Sequence, residues 1–444
     1  MIVVLGGGPA GRTAAVHLAL NGEDVTLVEK GELGGQCLHH GCMMVCALND
    51  AARVHGSARN LRDLGIFGTV PDINFPRLLE QMKSVQKKIA GILDEETREA
   101  GVNIVYGKEG RVAGRSVSVN GEEYPADSVI IATGSRPNVP RVPGITLPGV
   151  FSPQTVFRMP ALPREIVIIG GGIMATEFAY IFQEFGAAVH LVSRSGFLKA
   201  LDPKLASLAR KELGETRIYE HCDIEAVEGR EMVEGVRLKG RAGVSTIPCD
   251  TVFIAAGLIP RSETIDGIRK GPDGEILVDR QMRTSIREVF ACGDVTGSPL
   301  LTPVARHEGF VAAENILGRE AFMDYARIPQ SMNLFNEYAF VTADHPCAIA
   351  VSIPGPAGPG TFWSVPSGMT GFAKVGVDPD TGKLCGIHVA APSAGIIAAY
   401  YAFLMQQDIG VKAFDTFIEV HPMADGVYPL MKFVAGKLRG GKFP

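Results

Sequence analysis

The chain contains the same strand–glycine loop–helix–strand pattern twice, in residues 2–29 and in residues 166–193. Each copy begins with a short apolar strand, turns through small residues and continues into a predicted helix, over 12–21 in the first copy and 176–185 in the second. The corresponding small residues are all separated by 164 positions: Gly6 and Gly170, Gly8 and Gly172, Gly11 and Ala175. The pattern predicts two βαβ units with parallel strands.

The spacing of these small residues is typical of a dinucleotide-binding turn. The first glycine permits the tight turn, the second lets the backbone approach a pyrophosphate, and the third, or an alanine, lets helix and strand pack closely. The phosphates would sit at the helix N-terminus, beside Pro9 and Ala10 in the first copy, where unpaired N–H groups favour anions. The alternative is two structural glycine turns. Two nucleotide sites predict a protein that handles two redox cofactors.

The residues that end the second strand of each copy indicate which nucleotide binds there. The first copy ends in Glu29, followed by Lys30, and a carboxylate here can accept hydrogen bonds from ribose hydroxyls, as suits FAD or NAD. The second copy ends in Ser193 and Arg194, which can receive a 2′-phosphate that a carboxylate would repel. We therefore predict NADP(H) at the second site; NAD(H) is the alternative, if Arg194 is only a solvated surface residue.

Two later strands favour FAD at the first site. One, over 129–135, runs into Ala132, Thr133 and Gly134, and the other, over 289–294, ends in Gly293 and Asp294. An aspartate at the carboxyl end of a strand is well placed to accept a hydrogen bond from a ribityl hydroxyl.

Length and charge limit the remaining possibilities. A chain of 444 residues exceeds the size of a single core, so several domains are expected. The net charge of −5 gives no reason to expect nucleic acid as a partner. No apolar run has the length of a membrane span, and the first five residues lack the basic segment of a signal peptide, so a cytoplasmic location is expected.

Seven of the eight cysteines fall into two kinds. Those that lie singly in apolar or strand-like stretches are predicted to be buried thiols, because free cysteine behaves as a small hydrophobe. They are Cys222, Cys249, Cys292 and Cys385. A cluster near the N-terminus, Cys37, Cys42 and Cys46, is different.

Cys37 and Cys42 have the spacing of a redox pair, because four intervening residues close a small loop. A reactive cysteine must be a thiolate at working pH, and a helix beginning just after Cys42 would lower its pKa. Two structural thiols are one alternative. A zinc site is another, since Cys37, His39, His40, Cys42 and Cys46 include enough nitrogen and sulfur ligands.

In this order and over nearly the whole chain, the motifs resemble those of the pyridine nucleotide-disulfide oxidoreductases, which include dihydrolipoamide dehydrogenase, glutathione reductase and mercuric reductase. The most specific stretch is residues 34–42, in which two glycines precede the cysteine pair; His421-Pro422 is another. The resemblance implies an α/β fold with two Rossmann-like dinucleotide-binding domains, a split FAD domain with an inserted NAD(P) domain, plus a C-terminal α+β dimerisation domain. The expected limits are 1–150 and 261–322 for the FAD domain, 151–260 for the NAD(P) domain and 325–444 for the interface domain.

The resemblance also implies a path for electrons in a homodimer. Hydride would pass from the nicotinamide to one flavin face, and the reduced flavin would open a disulfide on the other. Cys42 would be the charge-transfer thiol, Cys37 the interchange thiol that meets substrate, and His421 of the partner subunit the acid–base. Further cofactor contacts would be made by Gly35, Gln36, Ala305 and Gly257.

Three departures from the family pattern concern residues near the chemistry. Cys46 occupies the position of a lysine that normally pairs with the glutamate found here as Glu177, so we expect Glu177 to be protonated or to have another cation. Asp425 is the acid nearest to a glutamate position that is Gly426 here. Leu258 stands where relatives often carry arginine.

The leading hypothesis is an FAD-dependent NAD(P)H:disulfide oxidoreductase resembling dihydrolipoamide dehydrogenase, acting on a small dithiol or disulfide. Loss of the lysine and the glutamate leaves a flavin oxidase or quinone reductase as an alternative, in which the cysteines only tune the flavin. A third hypothesis is a non-catalytic electron carrier within a larger complex.

Overall fold

The structure is a computed structural model. It describes residues 1–241, 243–343, 349–354, 362–363, 365–366, 368, 370–418 and 427–440.

Two five-stranded parallel sheets share one arrangement, in which the strand that opens each copy of the repeat lies in the middle. In spatial order the first sheet consists of Val289–Ala291, Ser128–Ile131, Ile2–Leu5, Val25–Glu29 and Asn103–Tyr106. The second consists of Arg217–Glu220, Ala188–Ser193, Glu165–Ile169, Thr251–Ile254 and Val150–Phe151. The central strands are buried at nearly every residue, as parallel strands covered on both faces must be.

The first sheet is built from two distant parts of the chain. Val289–Ala291 pairs in parallel with Ser128–Ile131, although the whole second sheet lies between them in sequence. The second sheet is thus an insertion into the first domain. The prediction of an α/β fold with a split first domain is confirmed.

Smaller sheets are mostly antiparallel. Beside the second parallel sheet lie Asp223–Glu228, Gly235–Gly240 and Gly243–Pro248. Two more small sheets are Ile265–Asp266 with Gly110–Ala113, Ser116–Val119 and Glu122–Tyr124, and Leu258–Pro260 with Ser135–Pro137. The C-terminal sheet has the order Gln330–Asn333, Glu337–Thr342, Leu384–Ala391, Phe372–Val377 and Ile349–Pro354.

The helices of the described residues are α1 Pro9–Leu20, α2 Gly35–His39, α3 Cys42–Asp63, α4 Phe75–Glu99, α5 Ile173–Glu184, α6 Pro203–Glu212, α7 Thr302–Ile316, α8 Ala394–Gln406 and α9 Val427–Gly440. Short 3₁₀ turns occupy Val156–Arg158, Asp294–Thr296 and Val411–Asp415. Both α1 and α5 begin three residues before the predicted starts, because the last residues of each glycine loop already form the first helical turn. Pro9 suits that place, since its fixed φ matches a helix and its missing N–H would have no partner there.

Helices α1 and α7 pack backbone to backbone at Gly309. A Cβ atom at Gly309 would overlap the carbonyl oxygen of Ala10. We therefore expect Gly309→Ala to lower the free energy of unfolding by about 1–3 kcal/mol, measured by urea denaturation. The matched control is Gly91→Ala in α4, where a Cβ meets open space; it should raise stability by up to about 1 kcal/mol. Unchanged stability of Gly309→Ala would contradict the close packing.

A half-buried glutamate joins the inserted domain to the C-terminal sheet through hydrogen bonds. Glu212 ends α6, and its Oε1 accepts hydrogen bonds from Asn336 Nδ2 at 2.6 Å and from Tyr338 Oη at 2.8 Å. Burial raises the pKa of Glu212 to about 7, although both hydrogen bonds act in the opposite direction.

Candidate active site

The first glycine loop forms a cradle for a dinucleotide at the start of α1. Cβ atoms at Gly6 and Gly11 would overlap backbone oxygens of Ala132 and Gly6, so only glycine allows the turn and the close packing of α1. Gly8 is the N-cap in extended conformation, and no side chain caps the helix, which leaves its first N–H groups available to an anion. The predicted FAD residues Gly6, Gly8 and Gly11 thus lie in a geometry that fits a pyrophosphate.

Glu29 is held at the tip of its strand beside this cradle. Its Oε2 accepts from Gly7 N and its Oε1 from Gly31 N, both at 2.6 Å. These bonds fix the carboxylate where the adenosine ribose of a nucleotide on α1 would lie. The neighbouring Lys30 pairs with Glu109 at 2.7 Å and is exposed.

Half-buried Asp294 and buried Glu308 lie near the carboxyl end of strand Val289–Ala291. Asp294 Oδ2 accepts a hydrogen bond from Ser135 Oγ at 2.6 Å, and burial raises the pKa of Asp294. Behind it, Glu308 of α7 accepts from Gly293 N at 2.6 Å and from Tyr325 Oη at 2.7 Å, and burial raises its pKa to about 7. Sequence reasoning identified Asp294 but missed Ser135 and Glu308, which reach the site from other parts of the chain.

The second glycine loop repeats the cradle at the start of α5. A Cβ atom at Gly170 would overlap the carbonyl oxygen of Ala255, just as one at Gly6 would overlap that of Ala132. Ser193 is buried, and its Oγ donates to Gly196 O at 2.8 Å and accepts from Gly196 N at 3.1 Å, so its hydroxyl already serves a turn. Arg194 is exposed at the end of the strand.

The two cysteines lie on either side of a sharp junction between α2 and α3. Cys37 is in α2, and Cys42 is the first residue of the 22-residue α3, where the helix dipole favours a negative charge. Both are free thiols. A hydrogen bond from Cys37 lowers the pKa of Cys42 to about 6, although burial acts in the opposite direction. Thr302 also lowers this pKa, and its Oγ1 lies 3.5 Å from Cys42 Sγ. The same pairing with Cys42, together with burial, raises the pKa of Cys37.

Cys42 is therefore the thiolate of the pair at neutral pH. Thr302 and Arg306, both near the start of α7, act on these thiols from across the chain: Thr302 contacts Cys42, and the positive charge of Arg306 lowers the pKa of Cys37 in part. The predicted contact residue Ala305 is buried in the same turn. Nothing in the local sequence singles out Thr302 or Arg306.

Glu177 has no lysine partner among the contacts of the described residues. It is 8% exposed on α5, and its Oε1 accepts from Asn333 N at 2.8 Å. Burial raises the pKa of Glu177 to about 7, and the Cys42 charge adds to this. The positive charge of Arg53 in α3 acts in the opposite direction and lowers the pKa of Glu177 in part; Arg53 Nε itself donates to Leu334 O at 2.6 Å.

Cys46 lies one helical turn beyond Cys42 and is exposed. Partial burial of the thiol, followed by the negative charges of Glu177 and Cys42, raises the pKa of Cys46. At neutral pH it is thus a neutral thiol, unlike Cys42.

A narrow cleft lies between the redox loop and the second glycine loop. The predicted contact residues Gln36 and Gly257 both line it. Its walls also include His40, Gln154, Met174, Ala255 and Leu258. The carboxyl edge of the second parallel sheet therefore faces the cysteine loop, as expected for a nucleotide that binds at such an edge.

Other predicted residues have different outcomes. His421 and Asp425 lie outside the described residues. Cys249 and Cys292 are buried free thiols, as predicted. The prediction is wrong for Cys222, which is half-exposed because it follows an edge strand, and for Cys385, which is disulfide-bonded.

Neither a metal centre nor a membrane-spanning helix is found in the described part of the chain. No three His, Cys, Asp or Glu side chains come together there as a metal site, which gives the zinc alternative no support. No helix among the same residues is long and apolar enough to cross a membrane.

Known proteins share these features along the whole chain. The family model described as pyridine nucleotide-disulphide oxidoreductase matches residues 1–309, and the model of that family's dimerisation domain matches residues 359–430. A dihydrolipoyl dehydrogenase of Geobacillus stearothermophilus is 30% identical, over 95% of this chain and 93% of its own length. A mercuric reductase of Staphylococcus aureus is 25% identical, over 96% and 81%.

A solved structure has the same fold. The HOCl-induced flavoprotein disulfide reductase RclA from Escherichia coli superimposes with a TM-score of 0.83 at 22% identity, covering 99% of this chain and 98% of that one. The chain therefore belongs to the pyridine nucleotide-disulphide oxidoreductase family, as an FAD-dependent enzyme that transfers electrons between a pyridine nucleotide and a disulfide.

Proposed function

We propose that Cys37 and Cys42 are the redox pair, and that the enzyme reduces a small disulfide with electrons from NAD(P)H. The observation that carries this is the asymmetry of the pair, in which Cys42 is a thiolate at the start of α3 and Cys37 holds the proton. FAD bound on α1 would relay two electrons from the nucleotide to the Cys37–Cys42 disulfide. Cys37 then exchanges with the substrate disulfide, and hydride plus one proton from the medium convert that disulfide to two thiols.

The substrate that we propose to test first is a lipoyl-type disulfide, since the relative from Geobacillus stearothermophilus is a dihydrolipoyl dehydrogenase. The test is a panel of lipoamide, glutathione disulfide and coenzyme A disulfide, each assayed with NADH and NADPH. Turnover of none of them, with the enzyme loaded with FAD, would contradict reduction of small disulfides. Oxidase or quinone reductase activity alone would favour the alternative of a flavin tuned by its cysteines.

NADP(H) is the proposed nucleotide, supported by exposed Arg194 at the position where a carboxylate would repel a 2′-phosphate. A charge-assisted hydrogen bond is worth about 1.5–3 kcal/mol, so Arg194→Ala should lower kcat/KM for NADPH by about 10–150-fold and leave the value for NADH almost unchanged. Lys211→Ala, exposed at the far end of α6, is the charge-matched control. Wild-type preference for NADH would contradict the proposal.

Cys46 places a neutral thiol at a position where relatives carry a cation. We therefore expect the two-electron reduction potential of the flavin to be low. A positive charge there should stabilise the anionic reduced flavin. We expect Cys46→Lys to raise the two-electron potential by about 30 mV or more, corresponding to about 1.4 kcal/mol, in a spectroelectrochemical titration. Cys46→Met is the neutral control, and equal potentials of the two variants would contradict this role of position 46.

A homodimer with a shared active site is the proposed assembly, with His421 of the partner subunit as acid–base and Asp425 as its orienting acid. The chain carries the family's dimerisation domain. An exposed apolar stripe on α8, formed by Ile396, Tyr400 and Phe403, supports pairing of two copies through this domain. We also propose the domain limits 1–150, 151–260, 261–322 and 325–444.

A further inference from the structure

Arg306 is an exposed cation beside the redox cysteines. It lies in the second turn of α7, four residues after Thr302, whose Oγ1 is 3.5 Å from Cys42 Sγ. Residues four apart share one face of a helix, so Arg306 follows Thr302 on the side of α7 that faces the thiols. Its positive charge lowers the pKa of Cys37 in part. The charge of Arg306 therefore acts at the thiol that is proposed to meet substrate.

The guanidinium of Arg306 has no partner of its own in the fold. Among the described residues, no carboxylate pairs with it and no acceptor receives a hydrogen bond from it. The positions three and four residues away on α7 are all uncharged: Thr302, Pro303, Gly309 and Phe310. Glu308 lies on another side of the helix, where it accepts hydrogen bonds from Gly293 N and Tyr325 Oη. The N–H donors of Arg306 are thus available to a molecule that approaches the cysteine pair.

An arginine with free donors next to a reactive thiol is suited to bind an anionic group of the substrate. The planar guanidinium matches the oxygens of a carboxylate or a phosphate with two parallel hydrogen bonds. At a rise of 1.5 Å per residue, Arg306 lies about 6 Å beyond Thr302 along α7. A substrate that presents its disulfide to Cys37 can therefore reach Arg306 with an anionic group at the end of a short chain.

We propose that Arg306 binds a carboxylate or phosphate group of the substrate, so that the enzyme prefers anionic disulfides to neutral ones. This inference rests on the proposed function, in which Cys37 exchanges with a small disulfide. The competing explanation is that Arg306 acts only on the Cys37 thiol. In that case, replacement of Arg306 would affect charged and neutral disulfides equally.

The first test requires no turnover of a disulfide. Iodoacetate and iodoacetamide both alkylate a thiolate with loss of iodide, and only iodoacetate is anionic. The readout is the ratio of their rates at Cys37 in the reduced FAD enzyme, with the modified residue located by mass spectrometry. Arg306→Ala should lower the iodoacetate-to-iodoacetamide ratio about 3–10-fold, because an exposed ion pair is weak. Arg306→Lys keeps the charge and should retain most of the ratio.

The second test compares disulfides in matched pairs. Lipoate and lipoamide share one ring disulfide, and only lipoate carries a carboxylate. Coenzyme A disulfide and pantethine share another disulfide, and only coenzyme A disulfide carries phosphates. Each reduction consumes one NAD(P)H and one proton and yields two thiols. Arg306→Ala should lower kcat/KM about 5–30-fold for the anionic member of a pair and much less for the neutral one, and the pair that responds identifies the anionic group.

Arg115→Ala is the charge-matched control, since Arg115 is exposed in the turn between strands Gly110–Ala113 and Ser116–Val119. It should match wild type in both tests. Wild-type ratios in Arg306→Ala, or an equal loss with charged and neutral reagents, would overturn the proposal. Arg306→Gln gives the same decision if Arg306→Ala does not fold. If no disulfide is reduced, the proposed function fails, whereas the alkylation ratio still decides whether Arg306 binds anions at Cys37.

Discussion

Cys37→Ser is expected to abolish NAD(P)H-dependent disulfide reduction, by at least about 1,000-fold, while reduction of an artificial dye by the same enzyme continues. The reason is chemical: exchange with a substrate disulfide needs an attacking thiol and a second thiol to release the product, and serine supplies neither. Electron flow from nucleotide to flavin does not pass through Cys37, so dye reduction survives. Alkylation of Cys37 in the reduced wild-type enzyme should give the same separation.

The Cys37→Ser and Cys42→Ser variants should differ in their absorbance spectra. In Cys37→Ser the remaining Cys42 thiolate beside the oxidised flavin should give a long-wavelength absorbance, which Cys42→Ser should lack. In this variant the hydrogen bond from the Cys37 thiol, which contributes most to lowering the pKa of Cys42, is removed, while the contact with Thr302 remains. The absorbance should disappear as the pH falls through the pKa of the Cys42 thiol.

Cys222→Ser, at a half-exposed thiol remote from the pair in sequence, is the control and should keep full activity. Disulfide reduction by Cys37→Ser at wild-type rate would show that another thiol, such as Cys46, exchanges with substrate.

Ile396→Glu combined with Phe403→Glu is expected to convert the enzyme to a monomer that has lost disulfide reduction but retains dye reduction. These side chains are 73% and 57% exposed on one face of α8. Two charges placed within an apolar contact would lose hydration without gaining partners, which costs several kcal/mol. Since the proposed acid–base is His421 of the partner subunit, a monomer should lack it.

Light scattering gives the oligomeric state, and the two assays give the separation of activities. Leu20→Glu, at a side chain that is 70% exposed at the end of α1, is the matched control and should remain dimeric and active. A double variant that stays dimeric would contradict the α8 interface. A monomer with full disulfide reduction would contradict a shared active site.

Local sequence patterns predicted both nucleotide cradles, because strand, loop and helix of each unit are consecutive. They also predicted that Cys42 would adjoin a helix start. They did not predict Ser135, Thr302 or Glu308, because these reach Asp294, Cys42 and Gly293 only after strands from distant segments pair.

For Ser193, the local sequence suggested a phosphate contact but did not show that the side chain already has hydrogen-bond partners. Its residue type suits phosphate binding, but its hydroxyl is committed to the turn at Gly196, so only the exposed Arg194 remains to support a 2′-phosphate contact. Spacing along the chain cannot reveal that a polar group already has its partners.

Hydrogen bonds to two carboxylates join the inserted domain to the C-terminal sheet: Asn333 donates to Glu177, and Asn336 and Tyr338 donate to Glu212. The two units cannot separate without removing the hydrogen-bond donors of these carboxylates. Each carboxylate left unpaired would cost about 1–3 kcal/mol. The consequence is thermal cooperativity: the two units should melt in a single calorimetric transition, and the nucleotide cleft should keep its shape up to that temperature.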